Sequence, residues 1–174
     1  ILTAHHADDQ AETLYMRIRR GSSLKGLQGI LAKREDQVVR PFLHLTKAFL
    51  IEYAKKHRLK WREDQSNQKT IFARNKTRLL ILPYLESQTP GITSTLSHIA
   101  TLSHDVYPQI LRKSSQFLKS IEIPKEKWPF PASYSPYENV WCLSTKKWNQ
   151  AVSKMGTGLI EMLRLQLDSQ GFYF

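Results

Sequence analysis

The 174-residue sequence contains one cysteine, Cys142. That excludes an internal disulfide and any CxxC metal or redox site, and makes a reducing, cytoplasmic setting the default. Nowhere do apolar residues run unbroken for the roughly 18 positions a membrane-spanning helix requires, so no transmembrane helix is expected. A GxxxxGK[ST] phosphate loop, an HExxH zinc helix, internal repeats and low-complexity tracts are all absent. The sequence also has no initiator methionine. It opens on the apolar pair Ile1-Leu2 and runs at once into a polar cluster, like the end of a buried strand. The expectation is the downstream part of a nucleotide-using catalytic domain whose beginning is missing.

Acidic residues are few beside basic ones, 15 against 26, for a formal net charge of +11. The excess is uneven. Residues 1–85 carry 17 Lys/Arg against 8 Asp/Glu, and residues 86–174 carry 9 against 7. A surplus of cations on one part of a chain suits a polyanionic partner, RNA first, because neutralising phosphates releases counterions. An apolar share of 41% with 24% charged residues is ordinary globular composition and excludes disorder.

Hydrophobic spacing sets the expected organisation. Ile1–Ala4 reads as a strand end. Between Asp8 and Arg20 the residues Ala11, Leu14, Tyr15 and Ile18 share one helical face, with Gly21 stopping the helix. Gly21–Gly29 reads as a loop or short helical turn, and Val38–Leu43 as a strand entering a Pro turn. Thr46 caps a helix through Lys56 whose inner face holds Phe49, Leu50, Tyr53 and Ala54. A helical run from Ile71 ends at Pro83. Residues 86–94 read as a linker, and 95–121 as one long helix or two short ones bent at Pro108. The Pro- and aromatic-rich stretch from Pro124 to Pro136 reads as irregular, and Leu159–Leu167 as a last amphipathic helix. Strand–helix alternation followed by helices alone implies an α/β piece and then a helical module.

Three clusters carry candidate chemistry. In the first, His5 and His6 stand at a strand end, where open α/β sheets bind ligands. Asp8, Asp9 and Glu12 follow in the first turns of the helix. Asp8/Glu12 and Asp9/Glu12 are pairs on one face, suited to Mg²⁺ or to an ammonium group. Five ionisable groups in eight residues exceed what helix capping requires. The second cluster, Arg19–Leu27, includes Arg20, Gly21, Ser22, Lys25 and Gly26. It has the composition of an anion cradle or, equally, of a helix C-cap. The third joins Trp61–Asn67, with Asp64 and Asn67, to Ala73–Arg78. Arg74 and Arg78 lie four apart on one helical face, with Asn75 between them, which suits a phosphate clamp or, as is usual for surface charge, a solvated basic face paired loosely with Glu63 and Asp64.

In this order the clusters resemble the tRNA(Ile)-lysidine synthetases, members of the PP-loop (N-type) ATP pyrophosphatase group. The matching segments are TAHHADDQAET, RRGSSLKGLQG, RPFL at 40–43, WREDQSN at 61–67, ARNKTR at 73–78 and LPYL at 82–85. They cover about the first half of the chain. The related tRNA thiolation enzymes share HHxxD-like segments but usually need paired cysteines.

The resemblance implies an α/β fold: the C-terminal part of a Rossmann-like PP-loop domain over residues 1–85, a linker at 86–94 and a helical tRNA-contacting module over 95–174. It implies an ATP-dependent carbon–nitrogen ligase. ATP, with Mg²⁺, would activate the C2 carbonyl of the wobble cytidine of tRNA(Ile), releasing pyrophosphate, and L-lysine would then displace AMP to give lysidine. Carried over residue by residue, His5, Asp9, Glu12, Arg74 and Arg78 are catalytic. Asp9 and Glu12 hold the lysine ammonium or, at Asp9, the metal, supported by Asp8 and Thr13. Arg40, Arg74 and Arg78 meet phosphate. His6, Arg20, Gly21, Ser22, Lys25, Gly26, Asp64, Asn67 and Asn75 complete the substrate and nucleotide side.

Two departures accompany the resemblance. The family's SGGxDS loop on the first strand does not occur in these residues, so they are expected not to turn over alone. Thr46-Lys47 stands where the family usually has a Thr-Arg dipeptide. A non-catalytic RNA-binding remnant and a thiolase-type PP-loop enzyme are the competing readings. Oligomeric state stays open, a dimer included.

Overall fold

The computed structural model describes residues 1–62, 71–123, 127, 143–155, 158, 163 and 164. These include α1 (Ala7–Arg19), α2 (Leu24–Leu27), α3 (Lys47–Lys56), α4 (Ala73–Lys76), a π-helical turn (Thr77–Ile81), α5 (Leu82–Gln88), α6 (Ile92–Ile121) and α7 (Thr145–Met155). The chain divides into two compact units, residues 1–107 and 108–174. No described helix is long and apolar enough to cross a membrane.

The expected strands are reduced to isolated bridges among the described residues. Leu2 pairs in parallel with Val39, and Val39 pairs antiparallel with Lys33. The parallel bridge is held by Thr3 N–H to Val39 O (3.0 Å) and Val39 N–H to Ile1 O (2.9 Å). It places His5 and Arg40 just beyond two aligned segments, as at the carboxyl edge of a parallel sheet.

The core of the first unit joins α1, α5 and α6. Ala11, Leu14, Leu82, Leu96 and Ala100 are buried, with Tyr15, Leu27, Leu85, Ile92 and Ile99 packed against them. The helical spacing on α1 is therefore the face that faces inward, although Ile18, in its last turn, is 47% exposed. On α3 the inner side is Leu50, Ile51 and Ala54. Phe49 and Tyr53, expected inside, are half exposed. On α6, Leu102 and Val106 also remain exposed.

Pro83 does not stop the helical run. The π-turn passes directly into α5, and Pro83 falls in that helix's first turn, where a missing N–H costs little. α6 likewise continues through Pro108 as one helix. Residues 86–94 hold the end of α5, a turn and the start of α6. The Glu86 carboxylate accepts the Gly91 and Thr93 amides and the Thr93 hydroxyl. In the second unit, Ser114 is buried and donates to Ile110 O, and Lys147 Nζ donates to Ser120 O at 2.7 Å. The helix expected over 159–167 and the aromatic stretch Trp128–Trp141 lie outside the described residues, apart from Leu163 and Arg164.

Candidate active site

Helix α1 starts at the end of the Ile1–His5 segment, and Asp9, in its third position, accepts the His6 amide at 3.0 Å. This fixes the N-terminus by satisfying an amide the helix cannot bond itself. It also holds the Asp9 side chain beside that of Glu12. Leu14 and Ala11 anchor the same helix in the core, so Glu12 is carried inward with them and is 1% exposed.

A carboxylate so deep requires cations, and the helical segment after residue 71 supplies two. Arg74 donates through Nε to Glu12 Oε2 (2.8 Å) and through Nη2 to Asp9 Oδ1 (3.0 Å). Arg78 donates through Nε to Glu12 Oε1 (2.6 Å) and through Nη2 to Asp9 Oδ1 (2.9 Å) and Glu12 Oε2 (3.0 Å). Both arginines thus form two-pronged forks over both carboxylates, the strongest geometry for such pairs. Glu12 holds Arg78 above its ordinary basicity, against the opposing effect of burial. The guanidiniums keep 40% and 26% of their side-chain surface in solvent. Neither Nη1 has an acceptor among the described residues, so the outer edge of the cluster presents free N–H donors backed by two buried carboxylates. That edge can receive a phosphate or carboxylate without losing its own support.

The donor set does not fit Mg²⁺ at Asp9. All four carboxylate oxygens of Asp9 and Glu12 accept protein N–H groups, and two guanidiniums occupy the place of a cation. No cluster of three metal-ligating side chains occurs among the described residues. An ammonium at this pair would share its oxygens with Arg74 and Arg78.

The remaining expected residues fall into distinct places. His5 Nδ1 pairs with Thr3 Oγ1 at 3.0 Å. His6 Nε2 lies 3.3 Å from Asp9. Its Nδ1 lies 3.3 Å from Asp8 Oδ2 without hydrogen-bond geometry. Asp8 Oδ2 accepts the Lys47 amide (2.8 Å), seating the start of α3 on α1. The His6 imidazole holds Asp8 below the usual carboxylate range; burial opposes this and the Lys47 amide assists it. Thr13 is half-buried on α1. Arg40 is buried, donates to Leu31 O (2.7 Å), and has no partner for Nε. With Asp8, His44, Glu86 and Ser97 it lines an open cleft of about 740 Å³. Arg20, Gly21 and Lys25 are exposed, Ser22 and Gly26 half-buried, and Asn75 lies between the two site arginines. Asp64 and Asn67 lie outside the described residues.

Two structural residues of the site were not singled out from sequence. Gln10 is buried and grips Ile30 twice, accepting its amide (2.6 Å) and donating to its carbonyl (3.0 Å). Arg17 Nη1 donates to Gly26 O (2.6 Å) and Gly29 O (2.9 Å). Together they tie the 21–30 loop to α1. The available signal was helical: Gln10 is four residues before Leu14 and shares its face.

Burial places the His5 imidazole below its ordinary value of 6.5; Asp9 pulls it up, while Arg40, Arg74 and His6 push it down. His5 is therefore neutral at pH 7. Because the unfolded chain takes up this proton first, His5 subtracts stability as pH falls below 6.5 and leaves it unchanged above. Its ring resonances should titrate with a midpoint under 6.5 in a pH series by NMR. A midpoint at or above that value would mean the ring is not desolvated.

Residues 1–85 match the model of the PP-loop domain. The chain is 39% identical over 122 residues to the bifunctional protein TilS/HprT of Listeria monocytogenes, covering 68% of this chain and 19% of that protein. It is 38% identical over 133 residues to the tRNA(Ile)-lysidine synthase of Pseudomonas aeruginosa, covering 74% and 30%. It is 32% identical over 146 residues to that of Clostridium tetani, covering 84% and 27%. The chain thus spans less than a third of the length of these relatives. Residues 1–85, whose histidine–carboxylate segment meets an arginine pair, thus match a PP-loop domain, and the chain is similar to the tRNA(Ile)-lysidine synthases over most of its own length.

Proposed function

We propose that the protein modifies tRNA(Ile), using ATP to join L-lysine to C2 of the wobble cytidine. The observation that carries this reading is the Asp9–Glu12–Arg74–Arg78 cluster, whose outer edge is a pair of oriented guanidiniums. The C2 oxygen of the cytidine attacks the α-phosphorus of ATP and pyrophosphate leaves. A lysine amine then attacks C2, and AMP departs with the oxygen. Both steps build negative charge on phosphate, where fixed cations that need no rearrangement lower the barrier most.

Arg74 and Arg78 meet that phosphate, Arg40 assists from the cleft, and Asp9 and Glu12 hold the forks in place. Neutral His5 is the group able to take the proton the amine loses. The 21–26 segment with Lys25 borders the nucleotide side. No step is assigned to Mg²⁺ at Asp9, given the donors found there. Residues 95–174, with cations such as Arg112, Lys113, Lys119, Lys146 and Lys147, contribute tRNA contacts. The setting is cytoplasmic.

The test is incorporation of labelled lysine into tRNA(Ile) transcript by the full-length protein, with ATP. Wild type should label the RNA, and Arg78→Lys, which keeps the charge and loses the fork, should lower kcat at least tenfold. ATP-dependent labelling absent from wild type, or undiminished by Arg78→Lys, overturns the assignment.

A further inference from the structure

We propose that α3 and the residues following it form a stacking and phosphate-binding platform for single-stranded RNA beside the modified base; this rests on the reading of the substrate as a tRNA. No residue of α3 is buried. Phe49 is 50% and Tyr53 52% exposed. Phe49, Tyr53 and His57 follow one another at four-residue spacing, so the three rings share one helical face. The Tyr53 and His57 ring centroids are 4.3 Å apart with the planes tilted by 36°. A row of half-exposed rings offers a face to any base, and stacking of this kind tolerates every base identity.

Cations are dense in the same stretch of sequence. Between residues 47 and 62 stand six Lys/Arg and one acid, Glu52. Lys55, Lys56, Arg58, Lys60 and Arg62 are exposed, and none forms an ion pair with a described residue. Arg58 has φ of 53°, a left-handed conformation in which a side chain costs roughly 1–2 kcal/mol and glycine far less. The chain carries a guanidinium there in spite of that cost. Such a surface matches a ribose-phosphate backbone in charge and the bases in chemistry.

Its position favours RNA over other polyanions. The start of α3 is bonded to Asp8, one residue from the cluster proposed to act on the base. The 10-residue helix is about 15 Å long at roughly 1.5 Å per residue. That is the length of about four nucleotides stacked at roughly 3.4 Å. A base seated at the cluster would thus leave its neighbours running along α3.

The experiment measures binding of labelled tRNA(Ile) transcript to the full-length protein over a salt series. Tyr53→Ala should raise Kd about tenfold and Tyr53→Trp should restore it, with the thermal melting of both variants unchanged. Lys56→Gln and Lys60→Gln should each lower the slope of log Kd against log salt by about 0.7, the value for one lost phosphate contact on a single strand. Wild-type affinity in Tyr53→Ala overturns the platform while leaving the tRNA reading intact. A wild-type protein that binds anionic vesicles and no tRNA overturns both.

Discussion

Glu12→Gln is expected to destabilise the fold by about 2–3 kcal/mol and to abolish the proposed lysine incorporation. Glutamine preserves the volume at a site that is 1% exposed, so packing is not the issue. The amide replaces one acceptor oxygen by a donor and removes the charge. Three guanidinium contacts end on Glu12 at 2.6–3.0 Å, and one of them would then meet N–H with N–H. Removing one partner of a buried ion pair costs about 3–5 kcal/mol; the partial exposure of both arginines lets water screen part of this. Urea denaturation gives the total. A double-mutant cycle with Arg78→Met isolates the coupling, because Arg78→Met should cost much less once Glu12 is neutral. Additive effects would show that the cluster is an ensemble of surface pairs rather than one unit.

Gly29→Ala is expected to cost about 2–4 kcal/mol and to free the 21–30 loop from α1. Gly29 has φ of 62°, where an L side chain is strained by roughly 1–2 kcal/mol. A Cβ there would lie 2.5 Å from Gln10 Oε1. That oxygen ends a long side chain, but the carboxamide is buried and pinned to both polar groups of Ile30. Moving it leaves those groups unpaired, at about 1–3 kcal/mol for each buried one. Gly21 is the internal comparison: its φ is 75° and nothing lies within 4 Å of a Cβ placed on it. Gly21→Ala should therefore show the backbone part alone. Equal losses for the two, measured by denaturation, would remove the Gln10 clamp from the explanation. Amide exchange at Ile30 should accelerate only in Gly29→Ala.

The local pattern of the sequence made α1 and its site legible, because both the apolar face and the carboxylates obey helical spacing. Ala11 and Leu14 point one way, and Asp9 and Glu12 lie one turn apart. Arg74 and Arg78 were recognisable as a pair for the same reason. Their union with Asp9 and Glu12 was not, since contacts across 62 to 69 positions leave no trace in spacing. The expectation that the arginines meet phosphate and the carboxylates meet an ammonium treated the two pairs separately; in the structure each is the other's first partner. Pro83 misled because a proline in mid-run normally ends a helix, and only the change from π to α geometry puts it in a first turn. Phe49 and Tyr53 misled because apolar periodicity marks any apolar face, whether core or solvent covers it.

The π-turn Thr77–Ile81 has a further consequence for how chain length matters. It contains Arg78 and lies between Arg74, the other arginine on the carboxylates, and Leu82, the residue that enters the core. Each residue of an α-helix advances the chain by about 100° around its axis, at 3.6 residues per turn. The widened turn acts as a phase shifter between two faces of one continuous rod. Removing a single residue at the exposed Leu79 or Leu80 would let the turn relax to α geometry. Because a π-turn is an α-turn holding one extra residue, that deletion would leave Arg74 and Leu82 close to their present faces, whereas inserting one residue with no further widening would turn the upstream face away from Glu12 by roughly that angle. The interval from Arg78 to Leu82 is thus a constraint on register, independent of which side chains fill it.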